Sequence, residues 1–381
     1  MYLQRGIEKD IASAIKNFPV TAIIGPRQCG KSTLAKHILG NALAETIYLD
    51  LERPSDLEKL TEAEWFLSSQ KHKLICIDEI QRKPELFPLI RSLVDEWNRP
   101  GCFVVLGSAS RDFLMQSSES LAGRITYKQL KPFLWSEISD VSIERYLERG
   151  GFPRSLLAID NNVSFEWRNS FISTFLERDL LQWVNFTPAT MRRLWQMLAH
   201  LNGQTVNYSG LGNSLGVSNQ TVKNYIDLLK STYMVEAIEP YTSNLGKRLV
   251  KAPKVYVADS GIVAALLGIR SFEDLLGHPA YGFVWESVVL ANLRGILPDS
   301  EIYYYRTAGG AEIDFVVRHH HQTLAIECKA SYSASLSKGN HIAIGDIKPR
   351  HTFVVTPAND NWAMSKAIDV VSLKGLMEHL L

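Results

Sequence analysis

Little in this chain of 381 residues is extreme, and its absences narrow what it can be. Cysteine is scarce: Cys29, Cys76, Cys102 and Cys328 are all there is. They lie far apart without the paired spacing of metal ligands, which argues against a zinc module or a disulfide framework. Two of them sit in apolar, strand-like runs, where a thiol behaves as a small hydrophobe, and a reducing cytoplasm fits this usage best. No apolar run approaches the roughly 20 residues that a membrane span needs. The opening MYLQRGIEKDIASAIKNF carries charges throughout and lacks the apolar centre of a signal peptide. An excess of one charge is missing too. Forty-one Lys and Arg against 40 Asp and Glu leave a net charge of +1, so any nucleic-acid or membrane binding must come from a local patch. There is no internal repeat and no low-complexity segment.

What is present is an ordinary globular composition, 46% hydrophobic and 21% charged, in a length that suits two to four domains. In the first part, short β-branched runs (20–24, 46–51, 74–77, 103–106) alternate with helix-type stretches such as 32–39 and 85–97. That alternation predicts a parallel sheet flanked by helices, an α/β core over residues 1–145. Helical spacing from about Ser164 to Leu201 predicts a lid over 146–201. Residues 202–261 hold two short helices joined by a turn near Gly216–Asn219, followed by strand-like runs at 234–238 and 255–257. Leu211, Leu215, Val217, Val222, Tyr225 and Leu229 form the apolar set on which a helix-turn-helix packs. Residues 262–381 are α/β again, with a helix over 283–293 and strands over 301–305, 312–317, 323–327 and 352–355.

The motif GPRQCGKST spans Gly25, Pro26, Arg27, Gln28, Cys29, Gly30, Lys31, Ser32 and Thr33, straight after the first strand. It fits the phosphate-binding loop G-x-x-x-x-G-K-[ST]. Glycines let backbone N–H groups wrap a phosphate, Lys31 reaches the β and γ phosphates of ATP, and the Ser32 hydroxyl ligates magnesium. The helix that follows points its positive end at the anion. The run Leu74–Ile77 then delivers Asp78 and Glu79, the first to hold magnesium and the second to polarise the attacking water as a base. The next strand ends in GSAS. Ser108, with Ser110 as its alternate, is placed to orient water beside the γ phosphate, a turn or N-cap being the other reading. Arg124, in SLAGRI, lies where ring ATPases carry an arginine finger for a neighbour's site; a surface ion pair is the alternative.

IDEIQRKPELFPLIRSLVD (77–95), SLAGR (120–124), GGFPRSL (150–156) and FLERDL (175–180) resemble a prokaryotic group of AAA+ ATPases whose members end in a domain of unknown function, number 4143. The resemblance covers nearly the whole chain. It implies an AAA+ parallel-sheet core with a helical lid, a winged-helix-like middle domain and a C-terminal α/β domain resembling restriction endonucleases. It also implies that Arg178 is a sensing arginine from the lid.

Between Thr221 and Lys254 stand Lys223, Lys230, Lys247, Arg248, Lys251 and Lys254 against Asp227, Glu236 and Glu239. That excess suits phosphate contact by Lys223, Lys247, Arg248 and Lys251, although such modules also serve only to pack between domains. In the last domain, Asp314 on one strand and Glu327 on the next, with Lys329 two residues on and Glu286 on the helix before, resemble the D…E-x-K arrangement of restriction-endonuclease-like folds. There Asp314 and Glu327 hold magnesium, and Lys329 steadies the attacking water. A nuclease-like fold without activity, or ordinary strand charges, are the rival readings. Arg318 opens what looks like a hairpin turn, and the consecutive His319, His320 and His321 read as solvated. The chain is thus expected to be a cytoplasmic, homo-oligomeric ATPase using ATP and magnesium, acting on DNA as a motor or switch. Alternatives are a nucleotide-licensed, metal-dependent nuclease and a protein-binding signalling ATPase without a DNA role.

Overall fold

The structure, a computed structural model, describes residues 2–108, 117, 119–138, 140–179, 187–242, 249–331 and 334–380. The side chains of Ser108 and Arg178, and the whole of Ser110, Lys247 and Arg248, lie outside what is described. Two compact units divide the chain, one formed by 1–133 with 231–233 and the other by 134–230 with 234–381. The expected lid and C-terminal domain fall in the second, with the middle module apart from 231–233 and with residues 134–145 of the expected core.

The first unit is built on five parallel strands, β1 (Val20–Gly25), β2 (Thr46–Asp50), β3 (Leu74–Asp78), β4 (Phe103–Ser108) and β5 (Ile125–Gln129), in the order β2-β3-β4-β1-β5. β1 and β3 are buried along their whole lengths, as strands covered by helices on both faces must be. One face packs on the helix Leu86–Trp97 through Phe87, Ile90, Leu93 and Val94. The other packs on Leu34, Ala35 and Leu39 of the helix Lys31–Gly40, and on Ile11 of the helix Glu8–Asn17.

The second unit contains two sheets. β6 (Gln204–Thr205), β7 (Val235–Ile238) and β8 (Lys254–Val257) form an antiparallel sheet in the order β6-β8-β7. It accompanies two helices, Tyr208–Leu215 and Asn219–Ser231. Their turn is closed by Gly216 in the left-handed region, φ 68°. β9 (Glu301–Arg306), β10 (Glu312–His319), β11 (Gln322–Cys328), β12 (His351–Thr356), β13 (Trp362–Ser365) and β14 (Ile368–Ser372) form a mixed sheet, ordered β13-β14-β12-β11-β10-β9. The fully buried indole of Trp285, on the helix Tyr281–Ile296, donates to the Val355 carbonyl at 3.0 Å and fixes that helix to the sheet. Among the described residues no helix is long and apolar enough to cross a membrane.

Candidate functional site

Parallel strands end together, so the carboxyl edge of the first sheet collects what β1, β3 and β4 deliver. Gly25 and Ser108 are opposite each other in the β1–β4 register. Gly25 has φ 149°, and a Cβ there would run into the Leu130 carbonyl, so only glycine lets the chain leave the sheet at this point. Gln28 (φ 59°) and Gly30 (φ 104°) then turn the backbone back into the helix Lys31–Gly40, whose first turn carries no acidic side chain. The helix N-terminus is left free for an anion.

Lys31 is buried, and its ammonium donates to the carbonyls of Gly25 (3.0 Å) and Pro26 (2.8 Å), the loop it encloses. Arg5 braces the loop from outside. Its guanidinium donates to the Cys29 carbonyl at 3.2 Å and to the Lys131 carbonyl at 2.7 Å, and it lies over the Phe133 ring. Asp78 is buried at the end of β3. The hydroxyl of Tyr48, on β2, donates to Asp78 and has the Ser32 side chain close by. Burial first, and the bond to Asp78 second, push the Tyr48 hydroxyl well above its ordinary pKa. The Tyr48 hydroxyl thus stands beside both residues expected to hold magnesium. Glu79 follows in the left-handed region, φ 55°, a strained setting for a side chain this long. The Gln81 amide donates to its carboxylate. Desolvation raises the Glu79 pKa, against the pull of Lys31.

A second cluster lies in the mixed sheet. A register shift between Ile313 and Val316 bulges β10 against β9 and re-aims Asp314. Asp314 is buried beside β11 and accepts from the Cys328 amide at 2.9 Å. Glu286 is buried and accepts from the Tyr256 hydroxyl at 2.9 Å. Glu327 is buried, with one oxygen accepting from Lys329 at 2.7 Å and the other without a hydrogen-bond partner. Burial, followed by the Asp314 charge, pushes the Glu327 pKa up to about 8. The sequence reading missed the group that holds these together. Lys254, at the start of β8, is buried, with its ammonium 2.8 Å from Glu312, 3.6 Å from Asp314 and 4.0 Å from Glu286.

A family model described as an AAA domain matches residues 17–139, and domains of unknown function DUF8612 and DUF4143 match 141–273 and 281–376. The uncharacterized protein Rv2008c of Mycobacterium tuberculosis is 37% identical over 359 residues, which is 94% of this chain and 81% of that protein. The uncharacterized protein MJ1544 of Methanocaldococcus jannaschii is 21% identical over 84% of this chain and 77% of that one. The first of these relations, at that identity over most of both chains, decides the family. The chain belongs to the P-loop AAA ATPases that end in a DUF4143 domain. The Walker-type ATPase paby2304 of Pyrococcus abyssi shares its fold, with TM-score 0.50 and 16% identity over 70% of this chain and 96% of that one.

In this ATPase the phosphate loop, Asp78 and Glu79 come together at one sheet edge. Arg124 is not among them. It precedes β5 beside Val20, at the opposite end of the sheet. There it pairs twice with Asp95, at 2.5 and 2.8 Å, in a groove of about 490 Å³ that Asn17, Asn98 and Arg99 also line. Within one chain it makes the surface ion pair that the sequence left as the alternative. Lys223 and Lys251 are exposed, whereas Lys230 pairs with Asp227 at 3.4 Å. Lys254, counted among the basic side chains of the middle module, is a correction: its buried pairing withdraws it from any phosphate. His320 and His321 (φ 45° and 63°) form the two-residue turn between β10 and β11 and are exposed, while half-buried His319 hydrogen-bonds Ser300 at 2.6 Å.

Proposed function

We propose that this ATPase binds ATP on residues 25–33, hydrolyses it with magnesium held by Ser32 and Asp78, and uses the cycle as a motor or switch on DNA. The observation that carries the nucleotide half is the phosphate loop closed around the Lys31 ammonium, with buried Asp78 at the end of the strand β3 and bonded by Tyr48. A hydroxyl and a single carboxylate suit Mg²⁺, which keeps most of its ligands as water and substrate phosphate oxygens. When bound, the ion supplies neutralisation of charge on the β and γ phosphates. Lys31 exchanges two carbonyls for phosphate oxygens. Glu79, released from Gln81, accepts the proton of the attacking water, and Ser108 lies on the neighbouring strand to orient it. Arg124 serves a neighbouring copy, because its own nucleotide lies at the other end of the sheet; this reading entails a homo-oligomer.

The DNA half rests on the paired helices and on the exposed Lys223 and Lys251, with Lys247 and Arg248 between them in sequence. The test is ATP turnover measured with single-stranded, duplex and branched DNA. Stimulation by one of these, lost when Lys223 and Lys251 become Ala, is expected, with the salt slope of binding falling by about 1 for each lysine removed. No DNA binding even at low salt leaves a protein-directed ATPase instead. Lys31→Ala abolishes tight ATP binding; an unchanged affinity removes the phosphate loop from the mechanism.

A further inference from the structure

The resemblance of the last domain to restriction endonucleases implies a divalent metal at Asp314 and Glu327, and the side chains present do not fit one. The oxygens of Glu312, Asp314 and Glu286 converge on a single point, and that point is the Lys254 ammonium, 2.8, 3.6 and 4.0 Å away. A divalent ion at the usual oxygen distances of about 2.0–2.6 Å would share this space with a buried positive charge. Glu312 also pairs with Arg306 at 3.5 Å, and one oxygen of Glu327 pairs with Lys329 at 2.7 Å while its other has no hydrogen-bond partner. Among the described residues no three His, Cys, Asp or Glu side chains are grouped to hold a metal ion.

We propose that Lys254 is the resident cation of this cluster, an internal lock that takes the place of a metal and closes the DUF4143 domain to metal-dependent DNA cleavage. The segment that carries Lys254 is fastened to the same sheet at several points. Tyr241 donates its amide to the Tyr304 carbonyl at 2.6 Å, and Val250 to the Arg306 carbonyl at 3.1 Å, both along β9. Tyr304 donates its hydroxyl to the Ala252 carbonyl, and Tyr256 packs on Phe315 with ring centres 5.9 Å apart. Lys254 is thus delivered by a strand whose flanks run along the outer edge of the mixed sheet, so its position is imposed by backbone pairing as well as by charge. A lysine placed this way ties β8 to β10. Breaking a buried pair by removing one partner leaves unpaired charge and is strongly destabilising, and a bound dication is one means of relieving it.

The experiment uses the full chain carrying Asp78→Asn, which removes the carboxylate of the ATPase metal site. Mn²⁺ binding is followed by its electron paramagnetic resonance signal, and cleavage of single-stranded, duplex and branched DNA is scored with Mg²⁺ and Mn²⁺. With Lys254 intact, Asp314→Asn changes neither the Mn²⁺ bound nor the cleavage, which stays at background. Adding Lys254→Met creates one Mn²⁺ site per chain, lost again with Asp314→Asn, and Mn²⁺ raises the melting temperature of the Lys254→Met protein alone. Mn²⁺ binding or cleavage that needs Asp314 while Lys254 is present overturns the proposal, as does a folded Lys254→Met protein that gains no Mn²⁺. If Lys254→Met does not fold, the Lys254-containing chain measured with and without Asp314→Asn still decides.

Discussion

The Tyr48 hydroxyl donates to the Asp78 carboxylate that is expected to hold the metal, so entry of the ion has to displace it. A hydrogen bond to a charged group contributes about 1.5–3 kcal/mol net, and each 1.4 kcal/mol is a tenfold change in an equilibrium constant. Tyr48→Phe is therefore expected to lower the Mg²⁺ concentration for half-maximal nucleotide binding by about tenfold, read by titrating Mg²⁺ against a fluorescent ATP analogue. A rise instead would mean that Tyr48 orients Asp78 for the ion. Gly25, Lys31, Ser32, Asp78 and Glu79 were legible in the sequence because their spacing and the strands before them are local facts. Tyr48 was not. The sequence located its strand, but only the β2–β3 register, which pairs Tyr48 with Cys76, stands it beside Asp78. Lys254 was misread for the same reason. A charge count along the chain treats every lysine as solvated, and burial against Asp314, sixty residues on, is set by the fold.

Between the helices Ile143–Arg149 and Ser260–Leu266, packing is close enough to dictate residues. A Cβ on Gly261 would meet the Arg149 carbonyl, and one on Gly150 (φ 72°) would meet the Asp259 carboxylate. Asp259 caps the second helix by accepting from the Ile262 amide at 3.0 Å, and fixes the preceding loop by accepting from the Gly151 amide at 2.7 Å. Losing the cap costs about 0.5–2 kcal/mol, and a buried Gly151 N–H left unpaired costs about 1–3 kcal/mol. Asp259→Ala should accordingly destabilise by about 2–4 kcal/mol, seen as a lower urea midpoint at unchanged slope. Burial lifts the Asp259 pKa despite both donors. A carboxyl whose folded pKa is raised favours the folded state below its ordinary range and loses that contribution as pH rises through the raised value; Asp259→Asn should flatten this slope. The elements themselves were legible where apolar runs are long, as in β1, β3, β4, β10 and β11. β5, β6, β13 and β14 were not read. The residues of β5 are all half-buried and those of β13 all exposed, and both strands lie at sheet edges, where one face or neighbour is missing and the apolar pattern fades.

Among the described residues each of the two units has an apolar cluster of its own. Both faces of the five-stranded sheet are packed from within the first unit. The cluster around Tyr305, Ile313, Val316 and Ala325 belongs to the second. The matched models divide the chain in a comparable place, 17–139 against 141–273 and 281–376, and the second of them runs without a break from the helix Ile143–Arg149 through the paired helices. Residues 25–33, 78 and 79, which are expected to hold the nucleotide, all belong to the first unit, so its binding energy should appear in the unfolding of that unit. Ligand at 100 times its Kd adds about 2.7 kcal/mol to the stability of the state that binds it, worth roughly 10 °C for a unit of this size. Calorimetry is expected to resolve two transitions, with Mg²⁺ and a non-hydrolysable ATP analogue raising one of them and leaving the other in place. Lys31→Ala should remove the shift without moving the unshifted transition. A single transition displaced as a whole would instead mean that the two units unfold together, and that nucleotide binding at Lys31 stabilises the sheet that holds Lys254 as well.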